Sequence, residues 1–272
     1  DGYTIDIDAL RKLAHEVKPS MITVGGSLNL FHHPIAKVRE IADEVGAKVL
    51  FDAAHLCGMI AGKVWPQPLV EGAHLMTFST YKSLGGPAGG LIVTNDDAIA
   101  QKLDAIAYPG LTANFDAAKT AALGITLQDW KSVGREYAQM MVKTSQALAA
   151  NMQSLGVNIY AADKGFTTSH QFAILAAPYG GGQKAAKKMG DSGLLACGIG
   201  LPTAPVEGDL NGLRIGTPEI VRLGMKPEHM SDLANFIARS LDNSVDSSAL
   251  QREITEWRKQ FSGVHYTVDV PN

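Results

Sequence analysis

The residues best suited to chemistry are a lysine in a loop of small residues and an aspartate that ends an earlier apolar run. Lys82 follows small hydroxyl residues such as Ser79 and precedes a glycine cluster. Upstream, the apolar residues 47–51 lead into Asp52, and His55 comes shortly after it. A lysine amine forms a Schiff base with a carbonyl, and an aspartate keeps a pyridine nitrogen protonated. The pair predicts an enzyme that holds pyridoxal phosphate (PLP) on Lys82, with Ser79 hydrogen-bonding to the cofactor or the lysine.

The elements that must position these residues alternate between strand and helix patterns in the first third of the chain. Short apolar strands joined by helices are typical of a parallel α/β sheet. In such a sheet the carboxyl ends of the strands meet at one crevice, so Asp52 and Lys82 are expected at the same edge. The predicted strands are 21–24, 47–52, 74–79 and 90–94, and the predicted helices are 7–17 and 34–45.

The remaining two thirds of the chain begin with alanine-rich helical sequence, which is broken near Pro109 and ends at about residue 155. Short strands and helices follow. The predicted strands there are 157–160, 171–175 and 213–215, and the predicted helices are 180–191 and 227–241. We therefore predict two domains: residues 1–150 as a partial PLP-binding large domain with connecting helices, and residues 151–272 as a smaller α+β domain.

A third candidate residue, Arg214, lies on a short strand between small residues in the second of these domains. Its planar guanidinium can bind a carboxylate through two parallel hydrogen bonds. The same side chain is equally suited to a structural ion pair. The residues alone therefore leave two roles open for Arg214, one in binding a substrate carboxylate and one in stability.

Each of these features also has an ordinary structural explanation. Lys82 suits a solvated surface loop, Asp52 a turn cap, His55 a buried core position, and the glycine run at 85–90 a tight turn into the next strand. Their order along the chain favours the catalytic interpretation, because one parallel sheet would bring the aspartate and the lysine to one edge.

Composition narrows the classes of function. The 272 residues are 46% hydrophobic and 19% charged, as in an ordinary soluble globular protein, and the net charge of -3 favours neither nucleic acid nor an anionic membrane as partner. No apolar run reaches membrane-spanning length and no signal-peptide pattern is present, so we expect a cytoplasmic location. Cys57 and Cys197 stand in apolar surroundings without metal-ligand spacing, which predicts buried free thiols and no metal site.

Taken together, the motifs resemble the serine hydroxymethyltransferase family of fold-type I PLP enzymes over nearly the whole chain. The resemblance implies an α/β fold in which a mainly parallel sheet forms part of the large domain and a smaller α+β domain follows it. The segments that carry the resemblance are Gly25-Gly26-Ser27, Asp52-Ala53-Ala54-His55, residues 77–90, Tyr108-Pro109-Gly110-Leu111 and Leu213-Arg214-Ile215-Gly216-Thr217-Pro218.

The resemblance also implies roles for single residues. Lys82 would carry the Schiff base, Asp52 would pair with the pyridine nitrogen, and His55 would lie near the phenolic oxygen of PLP. Ser27 would contact the phenolic side of PLP or the substrate, and Arg214 would bind the substrate carboxylate. The implied reaction is cleavage of the Cα–Cβ bond in serine or a related β-hydroxy-α-amino acid, with tetrahydrofolate as co-substrate. Since the family builds its sites across a subunit interface, a homodimer or higher oligomer is also implied.

Four departures from the family's motifs point to an offshoot. Tyr81 replaces the histidine before the lysine, and residues 86–88 lack the family's arginines. Residues 112–114 replace Gln-Gly-Gly, and residues 198–205 lack the asparagine that contacts folate. They favour a substrate such as α-methylserine or another β-hydroxy-α-amino acid, with either hydroxymethyl transfer or simple aldol cleavage. A fold-type I aminotransferase, a threonine-aldolase-like enzyme and a non-catalytic relative stay open as alternatives. The family also has a region before residue 1, so we expect an N-terminally truncated chain.

Overall fold

The structure, a computed structural model, describes residues 3–268. The contacts among them divide the chain into two compact units, of which the first holds Tyr3–Arg135 and the second begins at Glu136. The division falls within one long helix, Ala117–Ser154. The predicted domain boundary near residue 150 lies in the same helix and stays a prediction.

The first unit is built around a four-stranded sheet. Three strands run parallel in the order β1, β2, β3, and β4 pairs antiparallel with β3. The predicted α/β class with a mainly parallel sheet is therefore confirmed. The strands are β1 (Met21–Gly25), β2 (Lys48–Asp52), β3 (Leu75–Ser79) and β4 (Gly90–Thr94). The helices are α1 (Ile7–Val17), α2 (Ile35–Val45), α3 (Cys57–Ala61), α4 (Pro68–Glu71), α5 (Asp97–Ala105) and the first half of α6 (Ala117–Ser154).

Local sequence explains how these elements begin and end. The Asp6 carboxylate accepts a hydrogen bond from the Ala9 N–H at 2.9 Å and so caps the start of α1. Gly46 ends α2 with φ of +74°. After α5 the chain leaves helical geometry at Tyr108 and Pro109, which confirms the predicted break.

The core of the first unit lies between the sheet and its helices. Val49 and Phe51 of β2 are completely buried, as are Val38 and Ile41 of α2, which packs against that strand. Because alternate residues of β2 are buried, the strand is fixed in register and its last residue, Asp52, is left half-buried at the edge.

The second unit has a three-stranded antiparallel sheet with strand order β5, β7, β6. Its buried core includes Met152, Phe172, Leu213 and Ile237. The strands are β5 (Gln171–Leu175), β6 (Cys197–Ile199) and β7 (Gly212–Gly216), and the helices are α7 (Gly182–Asp191), α8 (Pro218–Arg222), α9 (Met230–Leu241) and α10 (Ser247–Arg258).

The structure corrects two details of the second unit. The predicted strand at 157–160 is only an isolated bridge between Ile159 and Ile174, because the chain turns at Ala161, where φ is +57°. Strand β6 was not predicted, since its central glycine and three-residue length leave no strand pattern in the sequence. Throughout residues 3–268, no helix has both the length and the apolar character needed to cross a bilayer.

Candidate active site

Three neighbouring strands bring their ends to one edge of the sheet in the first unit. Gly25, the last residue of β1, lies beside Asp52, the last residue of β2, and Asp52 lies beside Thr77 of β3. Ser79, half-buried, ends β3 two residues further on. The structure thus has the strand-end arrangement that the sequence predicted, and the Lys82 loop follows directly from it.

The turn after β1 passes very close to Asp52. The Gly26 N–H donates to the Asp52 carbonyl at 3.2 Å, and a Cβ added to Gly25 would lie only 2.3 Å from that oxygen. Gly25 and Gly26 have φ of +98° and +142°, conformations that favour glycine. A Cβ on Gly26 would meet no atom within 4 Å. Space is therefore open beside the turn, where the exposed Ser27 follows.

The loop after β2 fixes the Asp52 carboxylate. Asp52 Oδ1 accepts a hydrogen bond from the Ala54 N–H at 3.0 Å, and the Ala53 N–H donates to the Thr77 carbonyl at 2.9 Å. A carboxylate held in this way at a strand end has oxygen lone pairs left for a further donor.

Lys82 and His55 meet at the same edge. Lys82 Nζ lies 3.1 Å from His55 Nε2, and both side chains are half-buried. One of the two nitrogens must donate and the other accept, so the contact allows a proton to pass between the amine and the imidazole. A neutral lysine amine is the nucleophilic form.

A glycine-rich turn closes the loop that carries Lys82. The Thr80 N–H donates to the Gly89 carbonyl at 3.0 Å, and the Gly86 N–H donates to the Thr80 carbonyl at 2.8 Å. The Thr80 hydroxyl donates to the Pro87 carbonyl at 2.6 Å. The run at residues 85–90 is therefore a tight turn into β4, and the same turn holds the lysine loop at the strand ends.

Two residues between the lysine and histidine loops were not predicted to act there. Cys57 is a buried free thiol, as expected, and its Sγ donates to the Ser79 carbonyl at 3.3 Å. Burial raises the pKa of this thiol, so it stays protonated as a donor. Ser83, also buried, contacts the backbone of the His55 loop. The only signal for Ser83 in the sequence was its small hydroxyl side chain directly after Lys82.

Cys197, also a free thiol, is only partly buried.

A second network that the sequence did not reveal follows Ser27. The fully buried Asn29 donates to the Gly26 carbonyl at 2.8 Å, and its Oδ1 lies 3.3 Å from His33 Nε2. Because Oδ1 can only accept, Nε2 carries the proton in this contact. Burial, and secondarily the neighbouring His32, lowers the pKa of His33. The neutral histidine and Asn29 together hold the Gly26–Ser27 turn.

Arg214 lies in the second unit, in the middle of the central strand β7. Its partners in the neighbouring strands are Ala173 of β5 and Cys197 of β6. Both are small, so the half-buried arginine has room on its face of the sheet. The predicted short strand is present, and the role of Arg214 in binding a carboxylate stays a prediction.

The groups at the edge of the first unit fit PLP. Lys82 offers an amine for the aldehyde carbon, and Asp52 offers a carboxylate for the pyridine nitrogen. His55 and Ser79 add polar groups at the ends of β2 and β3, and Ser27 directly follows Gly26, beside which space is open. Within residues 3–268, no three His, Cys, Asp or Glu side chains are grouped so as to hold a metal ion.

Comparison with known proteins gives a family and a fold. A family model described as serine hydroxymethyltransferase matches residues 1–237. The fold is similar to that of a solved structure, L-threonine transaldolase from Pseudomonas fluorescens, with a TM-score of 0.89 and 23% sequence identity. The match covers 98% of this chain and 61% of the transaldolase chain. At this identity the likeness shows the fold alone, that of a fold-type I PLP enzyme.

Two curated relatives are more similar in sequence. Alpha-methylserine aldolase from Variovorax paradoxus is 62% identical over 268 residues, which are 98% of this chain and 60% of the relative. Serine hydroxymethyltransferase from Sulfolobus acidocaldarius is 39% identical over 269 residues, again 98% of this chain and 62% of the relative. The chain therefore spans about three fifths of the length of the curated relatives that it matches.

Proposed function

Because the chain belongs to the serine hydroxymethyltransferase family, we propose that it is a PLP-dependent enzyme that breaks the Cα–Cβ bond of a β-hydroxy-α-amino acid. The observation that carries this proposal is the 3.1 Å contact between Lys82 Nζ and His55 Nε2, at the strand edge that also holds Asp52. When bound there, PLP supplies an electrophilic carbon for an amine and a ring that accepts an electron pair.

The residues of this chain would divide the work around the cofactor. The Asp52 carboxylate, oriented by the Ala54 N–H, would hold a proton on the pyridine nitrogen. His55 Nε2 would take the proton that Lys82 Nζ must lose to become nucleophilic, and would return it later. Ser27 and Ser79 would hydrogen-bond the cofactor, and the Arg214 fork would orient the substrate carboxylate.

The substrate that we favour is α-methylserine or a close analogue. The high identity to alpha-methylserine aldolase from Variovorax paradoxus supports simple aldol cleavage. In that reaction the Cα–Cβ bond breaks, the β-hydroxyl loses its proton as formaldehyde leaves, and Cα gains a proton to give alanine. The second candidate reaction is transfer of the hydroxymethyl group to tetrahydrofolate, which the serine hydroxymethyltransferase relatives support.

We also propose that the protein acts as a homodimer or higher oligomer on a small-molecule substrate. The support is an exposed apolar segment of the first unit between α5 and the start of α6, where Leu111 and Phe115 are 82% and 83% exposed. Apolar side chains clustered at a surface are typical of an interaction site. A cytoplasmic location stays a prediction.

Borohydride trapping tests the cofactor and the lysine together. The purified protein is incubated with PLP, reduced and mapped by mass spectrometry, and we expect a phosphopyridoxyl adduct on Lys82. Lys82→Ala should lose the adduct and the imine absorbance, whereas Lys63→Ala, at an exposed position of the same unit, should keep both. An adduct retained in Lys82→Ala would show that another lysine holds the cofactor.

Formaldehyde release then identifies the reaction. We expect release from α-methylserine without tetrahydrofolate and its loss in Lys82→Ala. Release that requires tetrahydrofolate would favour hydroxymethyl transfer. Conversion of an amino acid that has an α-hydrogen, such as serine, to its oxo acid, with a second oxo acid as amino acceptor, would favour an aminotransferase instead.

A further inference from the structure

The histidine and lysine loops are joined by one buried hydroxyl group. Ser83 Oγ donates to the His55 carbonyl at 2.7 Å and accepts from the Gly58 N–H at 2.9 Å. Ser83 is 2% exposed, so water does not replace these partners. Both ends of the loop at residues 55–58 are therefore hydrogen-bonded to Ser83, the residue that directly follows Lys82.

The two loops also pack backbone against backbone at this point. A Cβ added to Gly58 would lie 2.5 Å from the Ser83 carbonyl oxygen and 2.9 Å from the Trp130 ring. Trp130 in turn donates through Nε1 to the Leu84 carbonyl at 2.7 Å. Since no side chain separates the loops here, a shift of the loop at residues 55–58 would be transmitted to Ser83 and so to the neighbouring Lys82.

Cys57 adds a weaker contact to the same joint. Its Sγ lies 3.3 Å from Ser83 Oγ and donates to the Ser79 carbonyl. The single thiol proton of Cys57 is donated to the Ser79 carbonyl, so Ser83 is the side chain that donates to the His55 carbonyl. Loss of the hydroxyl would leave a buried carbonyl and a buried N–H without this partner.

We propose that Ser83 is a positioning residue: its hydroxyl holds the His55 loop against the Lys82 loop and so sets the amine–imidazole contact. The inference rests on the proposed function of Lys82 and adds a residue to it. A hydrogen bond of 3.1 Å weakens steeply with small displacements, so catalytic side chains must be supported to within about 0.5 Å. Ser83 supplies that support from a buried position, through the backbone of the His55 loop.

The test compares Ser83→Ala with Ser240→Ala, a control variant that loses the hydroxyl of another buried serine. Ser240 is also 2% exposed, and its hydroxyl donates to the Ile237 carbonyl at 2.7 Å, but it lies in α9 of the second unit. Each variant is titrated with PLP, and PLP binding is measured from the imine absorbance and from borohydride trapping on Lys82. We expect Ser83→Ala to bind PLP about tenfold more weakly, whereas Ser240→Ala stays near wild type.

A second readout does not depend on the cofactor. In the protein without PLP, amide hydrogen exchange at residues 54–58 should be slow in wild type and faster in Ser83→Ala, with no such change in Ser240→Ala. Ser83→Thr, which keeps the hydroxyl, should restore both exchange and PLP binding. Rapid exchange of the Gly58 amide in wild type would overturn the inference even if Ser83→Ala did not fold.

The outcomes separate the two proposals. If wild type traps PLP on Lys82 and Ser83→Ala does so equally well, the positioning role is wrong and the proposed function stands. If wild type traps no PLP on Lys82, the proposed function fails, and the inference fails with it.

Discussion

At the residue scale, the site depends on contacts that fix the protonation and orientation of single side chains. The carboxylate of Asp52 is oriented by one backbone N–H, and the amine of Lys82 shares a hydrogen bond with an imidazole. Beside them, His33 is kept neutral by burial and holds Asn29, which in turn holds the turn before Ser27. Burial therefore gives an uncharged histidine a structural role next to the proposed cofactor site.

This burial predicts a pH dependence of stability. The pKa of His33 is lowered from 6.5 in the folded protein, so below that pH the unfolded chain binds a proton that the folded state does not. The free energy of unfolding should therefore fall as pH drops below about 6.5 and be fully retained above it. His33→Gln should flatten this decline in urea titrations between pH 7.5 and 5.5. An equally steep decline in the variant would contradict the prediction.

At the element scale, the site exists because β1 and β2 end side by side with almost no space between them. The glycine turn after β1 touches the last peptide of β2, and this contact is made by backbone atoms. Neither strand could approach so closely if Gly25 carried a side chain. The open space next to Gly26 is a consequence of the same turn.

Gly25→Ala should therefore be strongly destabilising. The added Cβ would meet the Asp52 carbonyl at 2.3 Å, and alanine would be strained at φ of +98°, which together predict a loss of roughly 2 to 4 kcal/mol in the free energy of unfolding. Gly190→Ala in α7 is the control, because no atom lies within 4 Å of its Cβ and alanine favours a helix by up to about 1 kcal/mol. Equal stability changes in urea titrations would contradict the explanation.

At the scale of the whole molecule, the two units differ in architecture. The first has a mainly parallel sheet that positions the amine, imidazole and carboxylate, and the second has an antiparallel sheet with an arginine on its central strand. The apolar residues exposed between α5 and α6 belong to the first unit, and they are the physical basis for the proposed subunit interface.

A charge placed in that segment should weaken self-association. Phe115→Glu buries a carboxylate in any interface formed there, so we expect the dimer dissociation constant to rise by at least about tenfold. Val70→Glu is the control, since Val70 is also exposed, at 82%, but lies on α4. Sedimentation velocity over a range of concentrations measures both. A monomeric wild type, or equal weakening by both variants, would contradict the proposed interface.

The sequence predicted most of the elements because their patterns are local. Apolar runs marked β1 to β4, periodic apolar residues marked α1 and α2, and Pro109 marked the break after α5. It was less successful where pairing with distant residues decides the structure. The segment at 157–160 resembles a strand in composition but makes only one bridge, and β6 is held by its pairing with β7 although its own sequence is unremarkable.

The sequence by itself determined the family, the fold class and the candidate chemical groups, because the types and order of Asp52, Lys82 and their neighbours are specific enough to be recognised. Only the tertiary structure decided which of these groups meet. The contact of Lys82 with His55, and the joint at Ser83 that supports it, join loops from different strands. Such contacts depend on the packing of β2 against β3, which leaves no local pattern in the chain.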